Sequence, residues 1–296
     1  MKIFDCFMYF DEDLVLDIRL NMLNEYVDYF IIVESNYNHK GEKKKLKFDI
    51  NKFNKFKNKI IYLVYDEEPI NLYKFSEEDT PDKISGKFIV NAGLRENAQR
   101  NYISKGLPNS DENDVVIISD IDEIPNLKTI DFNKIKREIL VFKQDMFYYK
   151  FNLQLPNFKW IGSKACKIRQ LKNPQWLRNL KGKKFPIYRI DVYFSDTKYN
   201  NIKIIEDGGW HYTNMKTPKE IENKLKSYLH HREFDENPLS IEQIKKIMIN
   251  KRAIYNLGVD QRMNKFGNGP TLNKINLKEL PDYIKNNLNL YKQWLD

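Results

Sequence analysis

Apolar and polar positions fall in alternating blocks along the first part of the chain, and the blocks predict strand, helix, strand. Lys2 to Tyr9 is a short apolar and aromatic run suited to a buried strand, followed by Asp11, Glu12 and Asp13 as a cap and first-turn acids for a helix. Val15, Leu16, Ile18, Leu20, Met22, Leu23 and Val27 then recur at helical spacing. Tyr29 to Val33, Ile60 to Tyr65 and Val115 to Ser119 read as three further strands, with a helix from about Phe88 to Lys105 before the last. Strands joined by such long crossovers imply a mostly parallel sheet covered on both faces, the α/β class.

Beyond Asp122 the pattern becomes aromatic strands: Ile139 to Phe142, Met146 to Leu155, Ile187 to Phe194 and Ile202 to Ile205. Helices are expected near Pro218 to His231 and Ser240 to Asn256, and the tail from Gly258 has little periodicity until Tyr283. Pro69 to Gly86, polar and acidic with two prolines, reads as a mobile loop. No repeat or composition break demands a linker, so residues 1–296 are expected to form one domain.

Composition narrows the class. With 41% hydrophobic and 14% aromatic residues, the chain has ample material for a core, and disorder is excluded as the general state. Its net charge of +9 favours anionic partners, such as nucleotides, polyphosphates, nucleic acid or a lipid surface, without choosing among them. Two cysteines, Cys6 and Cys166, make neither a disulfide framework nor a four-thiolate metal site. Met1 to Phe10 lacks the layout of a signal peptide, and no apolar run approaches the ~20 residues of a membrane span, so a soluble, cytoplasmic chain is expected. The lysines from Lys40 to Lys59 read as a solvated face rather than a nucleic-acid patch.

The most informative stretch is Asp114-Val-Val-Ile-Ile-Ser-Asp-Ile-Asp-Glu-Ile-Pro125. An apolar strand ending in Asp120-x-Asp122 sets two carboxylates at the carboxyl end of a sheet strand, where open α/β sheets hold their ligands. Residues two apart in extended chain point the same way, so both can face one Mg2+ or Mn2+ ion bridging a nucleotide's pyrophosphate. An acidic turn capping a following helix is the plainer reading of the same residues. A second constellation, Glu206-Asp-Gly-Gly-Trp-His-Tyr212, offers glycines for close ligand approach, a stacking face in Trp210 and a third metal ligand in His211, which tilts the metal toward Mn2+. Lys224, on one stripe of the expected Pro218–His231 helix, could neutralise a diphosphate leaving group. Arg95, Glu96, Arg100 and Asn101 offer charge and hydrogen bonds toward a nucleotide, or solvate an exposed side. No glycine-rich dinucleotide or P-loop cradle and no nucleophile elbow is present.

Several of these runs also resemble glycosyltransferase family 17, which includes the β-1,4-mannosyl-glycoprotein 4-β-N-acetylglucosaminyltransferase. The similar runs are Phe4-Asp-Cys-Phe-Met-Tyr-Phe-Asp-Glu-Asp-Leu14, Asp17-Ile-Arg-Leu-Asn-Met-Leu23, Val27-Asp-Tyr-Phe-Ile-Ile-Val-Glu-Ser35, Arg95-Glu-Asn-Ala-Gln-Arg-Asn101, Ile118-Ser-Asp-Ile-Asp-Glu-Ile-Pro125, Gly208-Gly-Trp-His211, Lys224-Leu-Lys-Ser-Tyr-Leu-His230 and Leu280-Pro-Asp-Tyr-Ile284. The resemblance implies a GT-A-like fold with a Rossmann-like sheet, UDP-N-acetylglucosamine as donor, a divalent metal at Asp120 and Asp122, and inversion at the anomeric carbon. It divides the domain into a nucleotide-sugar-binding half (1–125), an acceptor-binding and catalytic half (126–257) and a carboxyl-terminal extension (258–296). Inversion needs a base for the acceptor hydroxyl, and Glu206 and Asp207 are the candidates, with Asp145 in reserve. Animal members of the family carry an amino-terminal membrane anchor, whereas this sequence begins directly with the catalytic segment, and no anchor is expected. The acceptor therefore stays open between a glycan and a lipid-linked sugar, with a peripheral membrane surface as a further partner.

Two rival readings compete. A metal-dependent phosphohydrolase or phosphotransferase would use Asp120 as nucleophile, but such enzymes usually place Thr or Ser where this chain has Ile124. A basic nucleic-acid-binding protein would need aromatics interleaved with the lysines on one exposed sheet.

Overall fold

The computed structural model describes residues 1–186, 188–228, 231–257 and 266–296. Its elements are β1 (Ile3–Tyr9), α1 (Asp13–Leu23), β2 (Tyr29–Ser35), β3 (Ile60–Tyr65), α2 (Pro81–Asn101), β4 (Val115–Asp120), β5 (Glu123–Pro125), β6 (Ile139–Tyr148), β7 (Leu153–Lys167), α3 (Pro174–Asn179), β8 (Ile202–Ile205), β9 (Gly209–Thr213), α4 (Pro218–Ser227), α5 (His231–Glu236), α6 (Ile241–Ile249), β10 (Asn273–Lys274) and α7 (Asp282–Asn286). They form a mixed α/β fold around one sheet of order β3-β2-β1-β4-β7-β6-β9-β5, with β8 also on β6 and β10 on β7. Strands β3, β2, β1 and β4 are parallel. Strand β7 runs antiparallel to both β4 and β6, and β8 and β9 run parallel to β6.

Alternation along the parallel strands fills a core on each side. Phe7, Phe30, Ile32 and Ile117 point to the face covered by Leu16, Ile18 and Leu20 of α1. Cys6, Ile31, Val33, Val116 and Ile118 point to the face covered by Ile103 and by Trp176 and Leu177 of α3. Burial on both faces explains why these strands read as apolar runs. A third cluster joins Met146, Tyr148 and Leu155 of the β6–β7 hairpin to Ile221 and Leu225 of α4 and Ile244 of α6.

Chain connectivity forces the sheet to curl. Strand β4 ends at Asp120 and β5 begins at Glu123, so the two are at most about 11 Å apart along the chain. In the sheet order three strands separate them, so the far edge must return beside β4. This return brings His211 of β9 against the Asp120–Asp122 turn.

Several boundaries differ from the sequence reading. Helix α2 starts at Pro81 rather than Phe88, because the Thr80 hydroxyl caps the Lys83 amide and Pro81 suits the first turn. The predicted Met146–Leu155 strand contains a chain reversal, with Tyr149 at φ 62 and β7 continuing to Lys167. Residues 188–194 form no strand; a single 3-10 turn spans Ile190–Val192. The helix expected over Ser240–Asn256 stops at Ile249, after which Lys251 adopts φ 49. Ile187, Leu229, His230 and the start of the tail at Gly258 lie outside the described residues. Among the described residues no helix is long and apolar enough to cross a membrane.

Lysines of the Lys40–Lys59 stretch stitch that segment to its surroundings. Lys44 pairs with buried Glu34, Lys47 with Asp11 and Lys52 with Asp13, while Lys59 donates to the Asn24 and Val27 carbonyls.

Candidate active site

A cavity of about 380 Å3 opens at the carboxyl ends of β1 and β4, within the size range of small-molecule sites. Its wall includes Tyr9 at the end of β1, Phe10 and Glu12 after it, Tyr37, Asn38 and His39 after β2, and Glu96 and Gln99 of α2. Asp120, Asp122, Trp160, His211 and Lys224 complete the side from which chemistry can be done. Seven stretches of sequence therefore converge where the parallel strands end.

The turn that carries the two aspartates is held from beneath. Arg19 of α1 donates through Nη1 to the carbonyls of Asp120, Ile121 and Glu123, at 3.2, 3.2 and 2.6 Å. Its other nitrogens grip Asp5 of β1 at 2.7 and 2.5 Å, and both side chains are fully buried. The Tyr212 amide of β9 donates to the Asp122 carbonyl at 2.8 Å, locking the far edge of the sheet to the same turn.

Within this frame the two carboxylates differ. Asp120 accepts from Arg100 at 2.9 Å and from Arg178 of α3 at 2.7 Å, one guanidinium on each oxygen. Burial opposes its ionisation, but Arg178 and Arg100 outweigh that and hold the carboxyl far below the usual carboxylate range. Arg178 also grips fully buried Glu123, which accepts from the Trp160 indole as well. Lys164, donating to the Arg178 carbonyl, is lowered to about 7 by burial and then by the charge of Arg178. Asp122 faces the His211 Nε2 at 3.4 Å and the Lys224 Nζ at 3.9 Å. Burial again opposes its charge, and His211 followed by Lys224 pulls its pKa down; His211 is raised in turn, Asp122 overcoming the burial that favours a neutral ring. The His211 Nδ1 is buried without a hydrogen-bond partner, and the Trp160 ring lies 5.1 Å from the imidazole.

Placement of the other expected residues follows from strand geometry. Trp210 neighbours His211 on β9, so the two point to opposite faces, and Trp210 packs with the α1-side core instead of lining the cavity. Asp145 pairs in register with Trp210, shares its face, and is bound by Lys159 at 2.8 Å and Gln154 at 2.9 Å. Glu206 and Asp207 sit in the excursion between β8 and β9, both of which run along β6. Glu206 is 70% exposed and paired with Lys143, and Asp207 accepts from Asn126, so neither lines the cavity. Glu206→Gln and Asp207→Asn are accordingly expected to change the turnover of whatever reaction the cavity supports by less than about threefold, well under the ~100-fold cost of losing an acid–base group, as steady-state assays can check. Arg95 is tied to Glu68 and to the His39 carbonyl, and the Asn101 carbonyl oxygen of the side chain caps the Gln175 amide. Gly208 and Gly209 serve strand packing rather than ligand approach. A Cβ on Gly208 would meet the Lys143 backbone at 2.4 Å, and Gly209, at φ +111, would meet the Ile124 carbonyl at 2.2 Å.

Arg178, Arg19 and Trp160 carry much of this site and escape motif reasoning. Arg19 had a trace in the sequence: a basic residue on an apolar helix face, fourteen positions after an acid inside an apolar strand. Arg178 and Trp160 had none, since only folding brings them to the turn.

The arrangement supplies fewer metal donors than the sequence suggests. Among the described residues no three His, Cys, Asp or Glu side chains are grouped to hold an ion. Both Asp120 oxygens face arginines, which leaves Asp122 and His211 as a pair. Such a pair fits a divalent cation whose other positions are filled by phosphate oxygens and water. Asp120, held between two guanidiniums, is poorly placed as a nucleophile for phosphoryl chemistry, and Ile124 is buried in β5.

A family model described as glycosyltransferase family 17 matches residues 1–177. The matched span carries the Asp5–Arg19 pair and the Asp120–Asp122 turn, while Arg178, His211 and Lys224 lie beyond it. Comparison with curated proteins finds no match.

Proposed function

The chain belongs to glycosyltransferase family 17, and on that premise we propose that the cavity binds a UDP-sugar, UDP-N-acetylglucosamine foremost, for metal-assisted, inverting transfer to a glycan or lipid-linked acceptor. The observation that carries this reading is the convergence of Asp122, His211 and Lys224 on one cavity at the carboxyl ends of the parallel strands. Asp122 and His211 would hold Mn2+ or Mg2+, which as a Lewis acid supplies charge stabilisation to the departing diphosphate.

The chain's own residues do the rest. Lys224 places a cation at the same spot for the negative charge that grows as the sugar leaves. Arg100 and Arg178 fix Asp120, and through it the turn, so that Asp122 is already oriented before ligand arrives. Tyr9, Phe10 and Tyr37, which also line the cavity, would offer aromatic rings to the nucleobase. Trp160, anchored to Glu123, packs beside His211 and keeps its ring in place.

A panel of nucleotide sugars incubated with the protein and Mn2+ tests this without an acceptor. Slow hydrolysis of UDP-N-acetylglucosamine above the other donors, lost when the metal is chelated, is the expected outcome. Equal indifference to every nucleotide sugar would overturn the donor assignment.

A further inference from the structure

Between α3 and β8 the chain folds a loop whose neck is closed by the Lys181 amide donating to the Thr197 carbonyl at 2.7 Å. Phe185 and Val192 turn inward and are buried. Tyr188, Ile190, Tyr193 and Phe194 turn outward and are 81%, 71%, 67% and 86% exposed. Four large apolar side chains presented within seven residues, by a loop with its own buried anchors, form an exposed patch of the kind that marks an interaction site.

Charge surrounds that patch. Lys181, Lys183 and Lys184 are exposed at its base. Of the acids in the loop, Asp191 is neutralised by Arg189 at 2.5 Å and Lys198 at 2.6 Å, and Asp196 lies 3.8 Å from Lys172. The loop is thus apolar at its tip, cationic at its base, and without an unpaired acid.

We propose that this loop docks the protein on an anionic lipid surface, with Tyr188, Ile190, Tyr193 and Phe194 entering the interface and the lysines meeting headgroup phosphates. Tyrosine and phenylalanine suit the headgroup boundary, where an apolar ring and a polar tip are both accommodated. The backbone of the tip is equally suited. The Arg189, Val192, Tyr193 and Ser195 amides donate to the Pro186, Arg189, Ile190 and Val192 carbonyls, so the tip enters a less polar medium with these donors already satisfied. A protein partner would need none of this local closure, whereas a bilayer cannot supply the missing bonds. Docking of this kind does not depend on which donor the cavity takes.

Co-sedimentation of the full chain with vesicles tests it. Vesicles of phosphatidylcholine and phosphatidylglycerol in equal parts should retain the protein, pure phosphatidylcholine should not, and retention should fall with added salt. Tyr193→Ser with Phe194→Ser, and separately Lys183→Gln with Lys184→Gln, should each weaken retention by roughly tenfold or more at an unchanged melting temperature, the side chains being exposed. Failure of the wild type to bind anionic vesicles, or equal binding by both double variants, would overturn the proposal. So would a dimeric wild type that the aromatic variant converts to monomer without any vesicle binding, since the patch would then join copies of the chain.

Discussion

UDP with Mn2+ is expected to raise the melting temperature of the wild-type protein, and Asp122→Ala to abolish that rise and to lower transfer by about 10^2–10^3-fold. At ligand near a hundred times its Kd, mass action stabilises the native state by ~2.7 kcal/mol, a rise of roughly 5 °C for a chain of this size. The unliganded melting temperature should barely move. Among the described residues the Asp122 side chain is paired with His211 and Lys224, and its carbonyl, which holds the Tyr212 amide, survives in alanine. Asp120→Asn should behave in the opposite sense. Removing its charge leaves Arg178 with Glu123 and Arg100 with Glu96, at a cost of about 1–3 kcal/mol after allowance for its 36% exposure. The unliganded protein should therefore melt earlier, while a ligand-induced shift persists. Thermal scans of both variants with and without UDP and Mn2+ separate a ligand from a brace. A full shift retained by Asp122→Ala would remove the metal from this turn.

That division of labour was only half legible in the sequence. The spacing of Asp120 and Asp122 at a strand end announces an acidic site, but which carboxylate is free depends on Arg178, a residue of a short helix that reaches the turn only in the folded chain. The same limit governs the strands. Strands β1, β2 and β4, buried on both faces, are apolar runs between polar breaks, interrupted within β1 only by Asp5, and were readable as such; the half-buried edge strand β3 is an apolar run as well. The β6–β7 hairpin was not, because its reversal carries neither Gly nor Pro and relies on Tyr149 accepting a positive φ. Aromatic alternation misled at residues 188–194, where the outward side chains have no sheet to join. Parity explains why the second constellation divides: strand alternation allows only one of Trp210 and His211 to face the cavity, although the two are adjacent in sequence. Glu206 and Asp207 fall in the break between two strands laid along the same edge of β6, a juxtaposition that no local pattern signals.

Arg19→Met is expected to cost about 3–5 kcal/mol, because it strands the fully buried Asp5 carboxylate among Phe30, Ile117 and their neighbours in the sheet. Against a total stability of ~5–15 kcal/mol, such a loss would leave little folded protein at elevated temperature. Arg19→Lys should rescue little, since a single ammonium cannot hold Asp5 through two bonds and also reach three carbonyls. The informative variant is the double substitution Asp5→Leu with Arg19→Met. It removes both buried charges, so much of the lost stability should return, yet the carbonyls of Asp120 and Ile121 lose the Arg19 donor and that of Glu123 keeps the Ser163 hydroxyl alone of its two side-chain donors. The turn that aims Asp122 then has no support from α1, and the UDP and Mn2+ shift should stay lost even as the unliganded melting temperature recovers. Stability and ligand response, which fall together in the single variant, should part in the double one. Recovery of both would mean that the turn holds its shape without Arg19 and that the pair serves packing alone.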